Sequence, residues 1–412
     1  MIAEERGEPL VVPFPGERYT DRADLSRCLA PPYDVIDGTE RQRLAAQDPC
    51  NVVHFILPAG DEDRYHRAAE VLADWRRDGV LARDDEPSVY VLRQHFTTPD
   101  GRRHTRTGVI GAVAAESFDT GRVRPHERTH AGPKRDRLAL LEASHATFES
   151  LFMLARDSDG MLAEQVQAVV EEPPTTQATL QDVTVGLWRV SGSRADALAT
   201  TAGREGLYIA DGHHRYETAV AFAQQYPSAR RLPALIVSLQ DPGLVVLATH
   251  RMLDGPPIPE EGIRALRDSF KIRQLSSRAE ARAELEGLRD RGTSCVLLTP
   301  SQTLALLLKP GASLGEVPFA NEPSVASLDV ARIDALVVER LGESAGGAAV
   351  RYSADSQRVI DAVDGGEVAA GILLNPTKVE HVLDVADARA VMPPKSTYFI
   401  PKVASGLVAM AY

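Results

Sequence analysis

The stretch "YIADGHHRYETAVAFAQQ", residues 208–225, joins a short apolar run to a helical apolar pattern. At the junction stand an acid, a glycine, two histidines and an arginine: Asp211, Gly212, His213, His214 and Arg215. The first turn of a helix offers unpaired N–H groups and partial positive charge, so it suits an anion, usually phosphate. Glycine lets the backbone approach a ligand closely, and arginine grips phosphate oxygens. We therefore predict a phosphate-binding junction, with an ordinary helix cap as the alternative.

A second charged stretch, "PHERTHAGPKRDR" at 125–137, concentrates cations in an otherwise acidic chain. That density suits a phosphorylated ligand, and we take His126, Lys134 and Arg137 as further phosphate contacts. Cations around Glu127 favour its ionised form, which makes it a candidate general base or metal ligand. The two basic stretches would then hold opposite sides of one phosphate chain. A solvated charged loop is the alternative.

The same stretch contains "HERTH", 126–130, which matches the H-E-x-x-H signature of zinc hydrolases. That signature works only on a regular helix, where both histidines face the metal. Pro125 precedes it and Gly132-Pro133 follow it, so a helix there would barely complete two turns. Glu149 could supply a third ligand. A zinc hydrolase therefore remains an alternative function.

Three shorter features supply candidate substrate contacts. Tyr33 and Asp34 follow a rigid Pro-Pro pair, an arrangement that also suits a plain structural turn. Arg251 ends an apolar strand pattern. The segment "MPPKSTYFIPK", 392–402, offers Lys395, Ser396, Thr397 and Lys402 to a phosphate, with an ordered tail strand as the alternative.

Composition narrows the class of protein. The chain has 412 residues, 43% of them apolar and 25% charged, and a net charge of −12. An acidic balance argues against broad nucleic-acid binding, which needs a basic surface. Three cysteines without a C-x-x-C pair suit a reducing compartment, and neither a secretory signal nor an apolar run of ~20 residues is visible. These features predict a cytoplasmic protein without membrane or nucleic-acid partners; they leave its oligomeric state open.

The elements that must position these residues follow from the apolar spacing. We predict a helix over 64–81, strands over 88–96 and 106–114, renewed helical periodicity over 138–155, and one strand over 244–251. After about residue 255, helices alternate with strands and indicate a second lobe. P-loop, G-x-G-x-x-G and G-x-S-x-G motifs are missing, so a nucleotide would need another scaffold.

Several segments, in order over almost the whole chain, resemble the DUF1015 family: "LAPPYDVI", "NVVHFIL", "PHERTHAGPKRDRL", "YIADGHHRYETA", "THR", "LLNPT" and "MPPKSTYFIPK". The "DGHHR" junction also resembles the nucleotide site of the ParB/sulfiredoxin fold, where a G-x-x-R turn at a helix start holds phosphates. Within that superfamily it looks like the free-serine kinases, which make O-phosphoserine with ADP or ATP.

The resemblance implies an α/β fold with a ParB/sulfiredoxin-like core and an additional α/β C-terminal lobe. We place an N-terminal segment over 1–84, the core over 85–250 and the lobe over 251–412. The resemblance also implies ATP or ADP and Mg²⁺ as cofactors. Phosphates would lie on Gly212 to Arg215. Asp211 would bind magnesium or the substrate hydroxyl, and His214 would be a second catalytic group.

These residues support three functions of different classes. The first is a small-molecule kinase acting on serine or a similar amino or hydroxy acid, because phosphoryl transfer mostly needs positioning and charge neutralisation. The second is a noncatalytic nucleotide-binding switch of the ParB-like type. The third is the zinc hydrolase. The extra C-terminal lobe leaves serine itself open as the acceptor.

Overall fold

Apolar runs in the first 240 residues build one large mixed sheet in the computed structural model, which describes residues 8–61, 63–314, 319 and 321–412. The described chain forms two units. The first takes residues up to Pro125, then 129–244 and 401–412; the second takes 126–128 and 245–400.

The strands and helices of the first unit, apart from its last strand, are β1 (Val11–Val12), β2 (Glu17–Tyr19), α1 (Leu25–Cys28), α2 (Gly38–Gln47), α3 (Val53–Ile56), α4 (Arg64–Arg77), β3 (Leu81–Arg83), β4 (Ser88–Thr97), β5 (Arg103–Ala114), β6 (Val123–Arg124), α5 (Ala131–Ser144), β7 (Ala146–Thr147), β8 (Leu151–Ala155), α6 (Met161–Val169), β9 (Thr176–Leu180), β10 (Val183–Ser191), α7 (Gly192–Gly203), β11 (Leu207–Asp211), α8 (His213–Gln225) and β12 (Arg231–Ser238). Short 3₁₀ helices cover Tyr33–Val35 and Phe118–Thr120.

The strands and helices of the second unit are β13 (Val245–Leu247), β14 (His250–Leu253), α9 (Glu260–Ala265), β15 (Phe270–Gln274), α10 (Ala281–Leu288), β16 (Ser294–Leu298), β17 (Thr303–Leu308), α11 (Pro323–Ala326), α12 (Asp329–Ile333), α13 (Glu339–Ser344), β18 (Val350–Ser353), α14 (Ser356–Asp364), β19 (Ala370–Leu374), α15 (Val379–Asp387) and β20 (Tyr398–Ile400). A π-helical turn at Asp334–Val338 joins α12 to α13. The last strand of the chain, β21 (Met410–Ala411), returns to the first unit.

The large sheet of the first unit has the strand order β6-β11-β8-β12-β5-β4-β10-β9, and β1 pairs with β5 beside it. The β6–β11 and β8–β12 pairs are parallel, and the remaining pairs are antiparallel. Strand β11 therefore lies between β6 and β8, and it carries the residues just before the predicted phosphate site. This mixed sheet with its helices is compatible with the predicted ParB/sulfiredoxin-like core.

The second unit has a six-stranded sheet of order β15-β17-β16-β19-β14-β18, antiparallel throughout. Apolar residues from its strands and from α10 to α15 form its core. The predicted α/β C-terminal lobe is thereby confirmed. The α/β class holds for both units.

Two predicted elements are wrong. Helical periodicity over 138–155 ends at Ser144, because His145 takes a left-handed φ of 48°, and Leu151–Ala155 form a strand. A fully apolar run lacks the alternation that would separate a buried strand from a helix. The single strand over 244–251 is broken at Ala248 and Thr249: β13 pairs with β20, whereas β14 pairs with β18 and β19.

The observed units differ from the predicted boundaries at both ends of the second unit. It begins at Val245, and residues 401–412 leave it. Arg106 on β5 donates to the carbonyl of Pro401 at 2.6 Å, and β21 pairs with β7, so the final residues belong to the first unit. The described residues contain no helix long and apolar enough to cross a membrane.

Candidate functional site

The turn between β11 and α8 requires a glycine. Gly212 has a φ of +97° and occupies the N-cap position, where no side chain bonds the first turn of α8. A Cβ at this position would lie 2.6 Å from a methyl carbon of Leu151. Glycine therefore allows both the left-handed backbone and the close approach to β8. The first turn of α8 begins without a capping side chain, as an anion site needs.

Arg215 lies in this first turn, with 9% of its surface exposed. Its guanidinium donates to the carbonyl of Ser150 at 2.9 Å and to the carboxylate of Asp211 at 2.8 Å. Burial lowers the pKa of Arg215, but the neighbouring carboxylates, Glu149 first, outweigh burial and leave that pKa raised. The arginine is therefore a fixed positive charge beside the helix start.

A second cation reaches the same carboxylate from the end of the chain. The ammonium of Lys402 donates to Oδ1 of Asp211, while Arg215 binds Oδ2. Lys402 is anchored by its neighbour, because the carbonyl of Pro401 accepts from Arg106. Burial lowers the pKa of the fully buried Arg106 to about 9. Two cations thus share one carboxylate at the junction.

A buried charge network lies behind the junction. The Glu149 carboxylate accepts from the backbone N–H of Tyr33 at 3.2 Å and from Arg137 at 3.4 Å. The Arg137 guanidinium lies 4.1 Å from the centre of the Tyr33 ring and donates to the carbonyl of Ile56 at 2.6 Å. A small cavity is lined by Arg137, Glu149 and Arg215 together with apolar side chains. The network therefore joins the Tyr33 turn to the arginine of the junction.

His214 is held in its neutral form. Its Nε2 accepts the backbone N–H of His130 at 2.8 Å, and the two imidazole rings stack with centres 5.9 Å apart. Burial, followed by the charge of His130, lowers the pKa of His214. An acceptor at Nε2 places the remaining proton on Nδ1. The neutral ring can donate to an anion from that nitrogen.

The charged stretch at 125–137 contacts helix α8 through Thr129 and Lys134. Glu217, one turn after His214, accepts from Thr129 at 2.7 Å and from Lys134 at 2.6 Å. Lys134 therefore lies beside α8, as a common phosphate site would require, although its ammonium is paired with Glu217. This part of the stretch is the start of α5 and not a loop.

The predicted site residues fall into two groups. Nine belong to the first unit: Tyr33, Asp34, Lys134, Arg137, Asp211, Gly212, His213, His214 and Arg215. Five belong to the second unit: His126, Glu127, Arg251, Lys395 and Ser396. The contacts that sequence reasoning missed are the bond from Arg106 that anchors Pro401, the bonds of Glu149 to Tyr33 and Arg137, and the pairing of Lys402 with Asp211.

Three of the five residues of the second unit, Arg251, Ser396 and His126, have side-chain partners there. Arg251 is fully buried and binds both carboxylate oxygens of Asp334, at 2.8 and 2.9 Å. Ser396 donates to the carbonyl of Pro393 at 2.6 Å, and the His126 ring lies 3.2 Å from the hydroxyl of Thr397. Lys395 takes a left-handed φ of 57°. Substrate binding by these residues stays a prediction.

The metal predictions find little geometric support. Residues 125–130, which include HERTH, are not helical, so the two histidines lack the arrangement that the zinc signature needs. Both oxygens of Asp211 bind cations, which is not a magnesium geometry. Within the described ranges, no three His, Cys, Asp or Glu side chains form a group that could hold a metal. Asp211 as a metal ligand therefore does not fit the residues as they stand.

The sequence matches the model of the DUF1015 family, described as proteins of unknown function, over residues 11–331. The chain therefore belongs to the DUF1015 family. No protein of curated function matches it.

Three solved structures are similar at low level. A free serine kinase variant in complex with AMP is 14% identical, with a TM-score of 0.38, over 68% of this chain and 84% of that one. A conserved hypothetical protein from Pyrococcus furiosus is 14% identical, with a TM-score of 0.37, over 73% and 94%. SbnI with a C-terminal truncation, from Staphylococcus aureus, is 11% identical, with a TM-score of 0.38, over 72% and 85%. Likenesses of this strength do not assign a function.

Proposed function

We propose that the protein is a small-molecule kinase. It would bind ATP or ADP at the first turn of α8 and transfer a phosphoryl group to the hydroxyl of serine or of a similar amino or hydroxy acid. One observation carries the proposal: Arg215 and Lys402 meet at Asp211, beside a helix start whose N-cap is a glycine.

This arrangement offers what phosphoryl transfer requires. The reaction needs little covalent help from the protein and depends on positioning and charge neutralisation. The helix start supplies oriented dipoles, and the two cations supply charge. In the structure these cations share one carboxylate, so phosphate oxygens would compete with Asp211 for them. A neutral His214 adds a donor at the same turn.

The acceptor would lie near the Tyr33 turn, because Tyr33 and Arg215 are joined through neighbouring residues of one strand start, Glu149 and Ser150. Free serine kinase structures contain AMP or ADP, and ADP and serine are therefore included in the first assays.

The test incubates the protein and magnesium with ATP or ADP and a panel of amino and hydroxy acids, serine first. Mass spectrometry then detects an acceptor heavier by one phosphoryl group, and calorimetry measures nucleotide affinity. Arg215→Ala is expected to lose nucleotide binding by about 100-fold or more, because it removes a buried charge-assisted contact. The matched control is Arg194→Ala. Arg194 lies on α7, is half-exposed and pairs with Glu172.

Each result has a distinct meaning. A product that disappears in Arg215→Ala and persists in Arg194→Ala supports the kinase. Nucleotide binding without any product favours the noncatalytic switch. Unchanged nucleotide affinity in a folded Arg215→Ala protein contradicts the proposed cradle.

A further inference from the structure

The short 3₁₀ helix Tyr33–Val35 presents an exposed carboxylate on a rigid turn. It follows Pro31 and Pro32, whose rings fix the backbone before it. Asp34 is exposed, whereas Tyr33 is partly buried. Within the described residues, no hydrogen bond or ion pair engages the Asp34 carboxylate. It is therefore available to a ligand while its backbone is held in place.

Two buried charges fix this turn. Glu149 accepts the backbone N–H of Tyr33 at 3.2 Å, and Arg137 covers the Tyr33 ring at 4.1 Å. Only 7% of Glu149 and 4% of Arg137 are exposed, so water competes little for either contact. A turn held by buried contacts keeps its neighbouring side chain at a constant distance from the rest of the site.

The same strand start holds the arginine of the phosphate cradle. Ser150, next to Glu149, accepts from the guanidinium of Arg215 at 2.9 Å. Adjacent residues thus anchor the Tyr33 turn and Arg215. The Asp34 carboxylate also acts on this turn. Burial is the largest influence on both pKa values, but Asp34 adds to the effect of Glu149 and Asp211 in raising the pKa of Arg215. It also opposes the lowering of the pKa of His214 by burial and by His130. Asp34 therefore lies within electrostatic reach of the first turn of α8.

We propose that Asp34 accepts the hydroxyl proton of the acceptor during phosphoryl transfer. This inference rests on the proposed kinase function and names the catalytic base within it. The acceptor oxygen forms a bond to the terminal phosphorus, and the bond from that phosphorus to the bridging oxygen breaks. The electron pair of the broken bond stays on the departing nucleotide. The proton of the hydroxyl passes to the carboxylate of Asp34.

The other nearby carboxylates are poorly suited to this step. Both oxygens of Asp211 bind cations, and Glu149 is buried with its oxygens on Tyr33 and Arg137. Asp34 alone among these three combines exposure with a fixed backbone. Glu127, the base expected from the sequence, groups with the second unit. The geometry of the first unit therefore favours Asp34.

The test compares Asp34→Asn, Asp34→Glu and the exposed control Asp21→Asn with the wild type, using serine with ADP or ATP. General base catalysis contributes about 10²- to 10⁴-fold, so Asp34→Asn should lower kcat by at least about 100-fold while nucleotide affinity changes less than about threefold. Asp34→Glu should retain part of the activity, and Asp21→Asn all of it.

The failures are distinguishable. Wild-type kcat in Asp34→Asn, with Arg215→Ala inactive, overturns the assignment of Asp34 and leaves the kinase standing. If Asp34→Asn loses as much nucleotide affinity as kcat, Asp34 is a binding contact, and its assignment as the catalytic base is overturned. A wild type that binds no nucleotide overturns both proposals.

Discussion

Each unit contains a histidine–arginine pair, at the start of helix α8 in the first unit and at the start of strand β14 in the second, and the two pairs differ in how their charges are satisfied. Arg251, fully buried in β14, binds both oxygens of Asp334, and its other donors reach the carbonyls of Thr249 and Lys395. Arg215, at the start of α8, shares Asp211 with Lys402. A carboxylate bound twice by one arginine is a structural pair. A carboxylate shared by two cations at a helix start can exchange with an anionic ligand.

Replacing each arginine tests this difference most directly. Arg251→Ala should lower the free energy of unfolding of its unit by about 3–5 kcal/mol, because Asp334 loses the partner of both its oxygens. Arg215→Ala should lower the free energy of unfolding of the first unit by about 2 kcal/mol, since Lys402 still neutralises Asp211. Hydrogen exchange followed by mass spectrometry measures both, with β19 and β8 as reporters. Equal losses at the two sites would contradict the distinction.

Acid pH should destabilise the unit that contains His250 more than the unit that contains His214. Burial lowers the pKa of His250 to about 4, and its Nδ1 accepts the N–H of Leu374 at 3.1 Å. An unfolded histidine has a pKa near 6.5, so between pH 6.5 and 4 the unfolded chain binds the proton that the folded chain refuses. The stability contributed by neutral His250 is therefore complete above pH 6.5 and falls by roughly 3 kcal/mol as the pH drops to about 4.

His250→Asn keeps an acceptor near the position of Nδ1 and should remove this acid dependence from the second unit. The pKa of His214 is also lowered, so His214→Gln should change the first unit in the same direction by a smaller amount. Unfolding measured from pH 7 to 4 checks both. An acid dependence in the second unit that survives in His250→Asn would assign it to another group.

The smallest expected difference concerns two glycines. Gly192 has a φ of +63° and no atom near the position of an added Cβ, so Gly192→Ala should cost roughly 1 kcal/mol of backbone strain. Gly212→Ala adds a contact at 2.6 Å with Leu151 and should cost about 3 kcal/mol. Thermal unfolding and nucleotide titration compare them. Only Gly212→Ala should weaken nucleotide binding. Equal nucleotide affinity in both variants would mean that the phosphates bind elsewhere.

Local patterns predicted the junction well. The change from an apolar run to helical spacing marked the end of β11 and the start of α8 within a residue or two, and Gly212 was expected because a ligand or a turn needs it. The strands with clear turn signals, β4 and β5, were also predicted. The break at His145 was not, because one left-handed residue within an apolar run leaves no periodic trace.

The remainder of the site depends on contacts that are distant in sequence. Lys402 reaches Asp211 across almost two hundred positions, and Glu149 joins Tyr33 to the Arg215 environment. Spacing identifies such residues as available charges, and only the sheet order brings them together. The likeness of DGHHR to a known phosphate turn indicates one edge of the candidate site and gives no information about these partners.

The return of residues 401–412 to the first unit has a consequence for synthesis. Arg106 and Asp211 gain Pro401 and Lys402 as partners only after residues 245–400 have left the ribosome. At 5–20 residues per second, that interval lasts roughly 10–30 s. During it a nascent first unit holds a buried arginine and an acid without these late partners. We expect chaperone binding or proteolysis of the nascent chain to concentrate in this interval.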